Sequence, residues 1–133
     1  MAEKILVVDD SVDTREMMAK LLELESFAVI TAEDGRVGLD KAERELPDLI
    51  ITDINMPNID GIQMISILRK HANLSRIPIL AITAYGKDIA AEAINAGANR
   101  ALTKPVEFDA LIDGIRVLLT RPNGGASGEA RKA

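Results

Sequence analysis

The sequence predicts an α/β fold: a doubly wound, five-stranded parallel sheet with helices on both faces. Two observations carry this. Short apolar runs alternate five times with longer amphipathic stretches, which is the pattern of successive βαβ units. Three of the runs, Ile5-Leu6-Val7-Val8, Leu49-Ile50-Ile51 and Ile79-Leu80-Ala81-Ile82, are continuous rather than alternating. Strands covered by helices on both sides read that way, so these three are predicted to be central.

Strands are predicted over 4–9, 27–32, 49–53, 77–83 and 100–103. The second run is mixed in character and suits a sheet edge, and Pro78 falls at a strand start, where a missing N–H is tolerated. Helices are predicted over 12–25, 36–46, 61–72, 87–96 and 108–120. The last has the clearest period: Phe108, Leu111, Ile112, Ile115, Leu118 and Leu119 form one stripe at three-, four- and seven-residue offsets. Asp60 is placed to cap the third helix, Asp34-Gly35 to turn into the second, and Gly97 to close the fourth. Beyond residue 120 only Gly and small or polar residues follow, so the reading is one domain over 1–121 and a disordered tail over 122–133.

The 133 residues suffice for one core. Hydrophobic residues make up 47% and aromatics 2%, so that core is aliphatic. A net charge of −5 opposes the electrostatic footprint of direct nucleic-acid binding. The absence of cysteine removes disulfides and thiolate metal sites. The apolar run 5–8 is too short for a signal peptide or membrane span, so a cytoplasmic location is expected.

In doubly wound sheets, ligands bind outside the carboxyl ends of the strands. Those ends here read Asp9-Asp10, Asp53 followed by Asn55, Thr83-Ala84, and Lys104-Pro105. Three converging carboxylates repel one another, and a divalent cation resolves the repulsion. Oxygen ligands without His or Cys favour Mg²⁺, with Mn²⁺ a second candidate. With Lys104 added, the formal charges of such a site cancel, and a phosphoryl group can enter. Asp53 is the candidate nucleophile, able to form an acyl phosphate by in-line attack. Lys104 supplies a point charge and Thr83 a hydroxyl donor for the phosphoryl oxygens. Losing either is expected to slow transfer or weaken the response more than it disturbs folding.

Taken together, Asp9-Asp10, Asp53 with Met56-Pro57 and Asp60-Gly61, Thr83-Ala84 and Lys104-Pro105 resemble the pattern of response-regulator receiver domains of bacterial two-component signalling, over residues 4–119. The resemblance implies a flavodoxin-like strand order 2-1-3-4-5, a single-domain receiver and phosphorylation at Asp53. It implies Mg²⁺ held by Asp10 and Asp53, with Asp9 acting through water and Asn55 through its backbone carbonyl, and a cis Lys104-Pro105 bond. The implied donor is a phosphohistidine on a sensor histidine kinase or histidine phosphotransfer protein. The implied output is a rearranged surface of the fourth helix, fifth strand and fifth helix that binds a downstream protein, in a monomer or a phosphorylation-dependent dimer. Self-phosphorylation and self-dephosphorylation are implied, with no turnover of an external substrate. One position departs from the pattern. Three residues before the Lys the family commonly has Tyr or Phe, and here Ala101 offers no ring to rotate. Tyr85, the chain's only tyrosine, is the candidate to gate the site or take part of that role.

Other readings compete. An aspartyl-phosphate hydrolase or phosphotransferase needs an acid two residues after its nucleophile, where Asn55 stands. A nucleotide or flavin module needs glycines in the first loop, which reads Asp9-Asp10-Ser11-Val12-Asp13. A receiver used unphosphorylated as an interaction module is the third. His71 is read as a solvated or dipole-complementing residue at a helix end, and Met17, Met18, Met56 and Met64 as core or loop packing.

Overall fold

The computed structural model describes residues 2–56 and 58–120. Its elements in chain order are β1 (Lys4–Val8), α1 (Val12–Leu24), β2 (Ala28–Ala32), α2 (Gly35–Glu45), β3 (Leu49–Asp53), α3 (Gly61–Lys70), β4 (Ile79–Thr83), α4 (Lys87–Ala96), β5 (Arg100–Thr103) and α5 (Phe108–Leu119). The five strands form one sheet in the order β2-β1-β3-β4-β5, every pair parallel. The three continuous runs are the central strands, and the mixed run is an edge.

The period of two along each strand divides the core into two layers. Leu6, Val8, Ile50, Ile79 and Ala81 pack against Ala42 of α2, Met64, Ile65 and Leu68 of α3 and Ala93 of α4. Ile5, Val7, Leu49, Ile51, Leu80 and Ile82 pack against Leu22 of α1 and Leu111, Ile112, Ile115 and Leu118 of α5. The apolar stripe read on the last helix is therefore its sheet-facing side.

Three helices begin on a side-chain cap. Ser11, Asp34 and Asp60 accept from the backbone N–H of Thr14, Val37 and Gln63, and Gln63 returns a bond to the Asp60 N–H. Helix α4 begins instead at Gly86, φ 90, with no side-chain cap.

Element ends differ from the sequence reading by one or two residues, for local reasons. β4 starts at Ile79 rather than 77, since Pro78 has no N–H for the ladder, although its carbonyl accepts from Ile50 N at 3.0 Å. Helix α2 stops at Glu45 because Leu46 turns left-handed, φ 47, and α3 stops at Lys70 because His71 is extended, ψ 128. His71 is paired as well as solvated: its Nε2 lies 2.9 Å from Glu43 Oε2, joining α3 to α2. The core role read for the methionines fails at Met17, which is 58% exposed, whereas Met64 is buried. The tail over 122–133 and Pro57 lie outside the described residues. Among the described residues, no helix is long and apolar enough to cross a membrane.

Candidate functional site

Strand register builds the site. Val8 stands opposite Thr52, so Asp9 follows β1 abreast of Asp53 at the end of β3. Asp53 pairs with Ile82, which puts Thr83 one residue further along β4, and Thr83 pairs with Thr103, immediately before Lys104. Strand order reverses between β1 and β3, the position at which such sheets hold their ligands.

The crevice is acidic and half closed. Asp9, Asp10 and Asp53 each offer a carboxylate oxygen within 4.8 Å of the others. Asp9, Asp53 and Thr83 are buried, while Asp10, Asn55 and Lys104 are exposed. Lys104 Nζ stands 3.8 Å from Asp53 Oδ2, and its backbone N–H donates to Thr83 O at 2.7 Å. The Lys104–Pro105 peptide is cis. Asp53 Oδ1 accepts from Ile54 N at 2.9 Å, and Asp9 Oδ1 from Ser11 N at 2.8 Å. The Thr83 hydroxyl oxygen accepts from Tyr85 N at 3.0 Å, which leaves its own hydrogen free to donate elsewhere. Asn55 lies in the loop after β3, its side chain turned to solvent.

Burial pushes the Asp53 carboxyl above its ordinary value of 3.8, the Asp9 charge adds to the rise, and Lys104 opposes it. Burial likewise raises Asp9, against the Ser11 hydrogen bond and Lys104. The leading cause is desolvation rather than the mutual repulsion that the sequence suggested. One half-exposed ammonium at 3.8 Å does not offset the burial of two acids. The donor set is oxygen only, and the single histidine is engaged with Glu43. These residues fit a hard divalent cation.

Two supporting features were not read from the sequence. Arg15 Nη1 donates to the Asp9 backbone carbonyl at 2.8 Å, fixing the β1–α1 turn. Its position four residues after the Ser11 cap was the available signal, since one helical turn brings such a side chain back over the cap. The close approach of Gly61 to Asp53 is a tertiary contact with no local signal. Beside the crevice, an apolar groove of about 580 Å³ runs between α1 and α5, lined by Met17, Met18, Leu21, Val106, Phe108 and Leu111.

The fold and this crevice define a doubly wound α/β protein with an acidic site at its topological switch point. A family model described as the response regulator receiver domain matches residues 5–116, and the chain belongs to that family. A 14.6 kDa protein of Leptolyngbya boryana is 39% identical over 77% of this chain and 79% of its own length. The response regulator MprA of Mycolicibacterium vanbaalenii is 36% identical over 98% of this chain and 57% of its own. The chain thus spans little more than half of that larger relative. Among solved structures, the chemotaxis protein CheY4 of Vibrio cholerae aligns with a TM-score of 0.83 at 32% identity, covering 89% of this chain and 99% of that one. A response regulator receiver domain from Clostridium thermocellum aligns at 0.82 with 30% identity, covering 90% and 94%.

Proposed function

We propose that this receiver domain accepts one phosphoryl group on Asp53 from a phosphohistidine of a sensor kinase or phosphotransfer protein, in a Mg²⁺-dependent reaction, and reports it through the α4–β5–α5 surface. The observation that carries the reading is the convergence of three carboxylates within 4.8 Å with Lys104 Nζ 3.8 Å from Asp53 Oδ2. Asp9, Asp10 and Asp53, with the Asn55 backbone carbonyl, would hold the cation. When bound, it neutralises charge on the phosphoryl oxygens. An Asp53 carboxylate oxygen attacks phosphorus in line, the oxygen–phosphorus bond forms, and the nitrogen–phosphorus bond to the donor breaks with its electron pair left on the imidazole. Lys104 holds one phosphoryl oxygen by charge, and the free hydrogen of Thr83 reaches another. The Asn55 amide has no acidic proton and cannot serve as a general acid toward a leaving group, which favours a phosphoryl group that is retained over one passed to an external substrate.

Intact-mass measurement after incubation with acetyl phosphate tests this. One added phosphoryl group is expected in the wild type with Mg²⁺, and none in Asp53→Asn or with the cation chelated. Multiple turnover of a small phosphate ester would instead favour the hydrolase reading.

Tyr85 is 66% exposed two residues beyond Thr83, and its backbone N–H donates to the Thr83 hydroxyl. Tyr85→Ala is expected to open the crevice to water and shorten the aspartyl-phosphate lifetime by about threefold to tenfold, the size of one group's effect on water access. A time course of mass loss reads it; an unchanged lifetime and unchanged partner binding would remove Tyr85 from both roles.

A further inference from the structure

Thr52 places a hydroxyl where the sheet otherwise holds hydrocarbon. It is fully buried, and it stands opposite Val8 of β1 and Ala81 of β4. By the strand period of two it shares a face with Ile50 and Ile54, the face covered by α2, α3 and α4. Valine would fill this position with the same branched shape and without desolvating a hydroxyl, a group whose burial is unfavourable unless it is bonded. Packing therefore gives no reason for the oxygen. Its hydrogen bond does: Thr52 Oγ1 donates to the backbone carbonyl of Asp53 at 2.8 Å.

That carbonyl belongs to the peptide that also holds the candidate nucleophile. The N–H of the same peptide, on Ile54, donates to Asp53 Oδ1 at 2.9 Å and to Ile82 O of β4 at 3.1 Å. A peptide unit is a rigid plane, so a restraint on its oxygen is also a restraint on its hydrogen. With Oδ1 on this N–H, Oδ2 is left facing Lys104 Nζ across 3.8 Å. The next carbonyl, of Ile54, accepts from Gly61 N at 2.7 Å, but two rotatable backbone bonds separate it from the plane that carries the Asp53 oxygen. The twist of an Asp carboxylate is a soft torsion, so its orientation has to come from such partners.

We propose that Thr52 is a positioning residue for phosphoryl transfer: from the dry interior of the sheet, its hydroxyl fixes the tilt of the Asp53–Ile54 peptide and, through it, the rotation of the Asp53 carboxylate. The proposal rests on the phosphoacceptor reading of Asp53. Thr52 itself touches neither the donor nor the cation. In-line attack needs a carboxylate oxygen aligned with phosphorus, and a small error of rotation carries that oxygen out of line. Without the hydroxyl, the Ile54 N–H turns toward its other acceptor, Ile82 O, and loosens its hold on Oδ1. The carboxylate then samples rotations of which few present an oxygen to the donor.

Intact-mass kinetics with acetyl phosphate and Mg²⁺ test this on the full chain, alongside the amide proton resonance of Ile54 in the metal-free protein. Thr52→Val keeps the shape and removes the donor, whereas Thr52→Ser keeps the donor. Rates are read at a temperature where all three chains are folded. Thr52→Val is expected to take up the phosphoryl group about tenfold more slowly while its Tm matches or exceeds that of the wild type. Thr52→Ser, although it gives up a buried methyl and some stability, is expected to stay within about twofold of the wild-type rate. Rate and stability thus move in opposite senses, which a purely structural role would not produce. The Ile54 amide proton is expected to shift upfield in Thr52→Val, where its bond to Oδ1 weakens, and to keep its position in Thr52→Ser. A wild-type rate in Thr52→Val, or a Thr52→Ser chain as slow as Thr52→Val, would overturn the proposal. A wild type that gains no mass would instead sink the Asp53 reading. The hold on the carboxylate is then decided by the Ile54 resonance, and an unmoved signal in Thr52→Val overturns it.

Discussion

An Asp53→Asn chain is expected to become more stable in the metal-free state while losing all phosphoryl incorporation. The carboxyl is buried and its pKa is raised, chiefly by that burial and next by Asp9, so its charge opposes folding at neutral pH. The sign follows from proton linkage. A folded-state pKa above the unfolded value gives stability that is fully present below about 3.8 and is lost as pH rises through the folded-state pKa. Asn keeps the oxygen that accepts from Ile54 N and removes the charge that responds to pH. It also gives up the 3.8 Å pairing with Lys104, the smaller of the opposing effects. The expected gain is about 1 kcal/mol, at the low end for removing an undercompensated buried charge, or roughly 4 °C in Tm. Thermal unfolding of both chains at pH 7 and again near pH 4 reads it. The difference should shrink at the lower pH, and a less stable Asp53→Asn chain at pH 7 would contradict the argument.

Gly61→Ala is expected to be the more damaging change, although it puts the best helix former into the first turn of α3. An added Cβ would stand 2.5 Å from the Asp53 carbonyl oxygen and 2.7 Å from Ile54 Cα, both backbone atoms of a central strand and its continuation. Neither can move aside as the end of a flexible side chain could. The helix-propensity gain of about 1 kcal/mol is outweighed by overpacking of about 3 kcal/mol or more. Because the atoms displaced are those that carry Asp53, phosphoryl incorporation is expected to fall on the order of 100-fold as well. Calorimetry and intact-mass kinetics on one preparation separate the two effects. A Gly61→Ala chain with wild-type Tm would show that the β3–α3 connection yields more easily than this packing allows.

The sheet was legible because burial on both faces leaves a plain mark on composition: Ile5 to Val8, Leu49 to Ile51 and Ile79 to Ile82 are short, β-rich and continuous, and their alternation with amphipathic stretches reads as interior strands. The candidate site was legible for a related reason. Asp9, Asp53 and Thr83 each stand at the carboxyl end of such a run, Lys104 follows the edge strand β5, and parallel register then aligns them. What stayed hidden depends on tertiary contact. Leu46 takes a left-handed turn without being Gly or Asn. Arg69 spends its donors on Gly97, Ser75, Ile77 and Asn99, three of them backbone carbonyls, and a carbonyl has no residue identity to read. Burial as the leading cause of the raised Asp9 and Asp53 carboxyls was hidden too, since it comes from how deeply β1 and β3 lie in the sheet.

The solvent-facing phenol of Tyr85 gives the chain a native optical probe. With one tyrosine and no tryptophan, all of its intrinsic ultraviolet emission above the weak phenylalanine signal comes from a single ring. That ring sits on the turn between Thr83 and α4, so its quantum yield and anisotropy report on this segment without any attached dye. Titration with a cation or a phosphodonor can therefore be followed in real time on the unaltered chain.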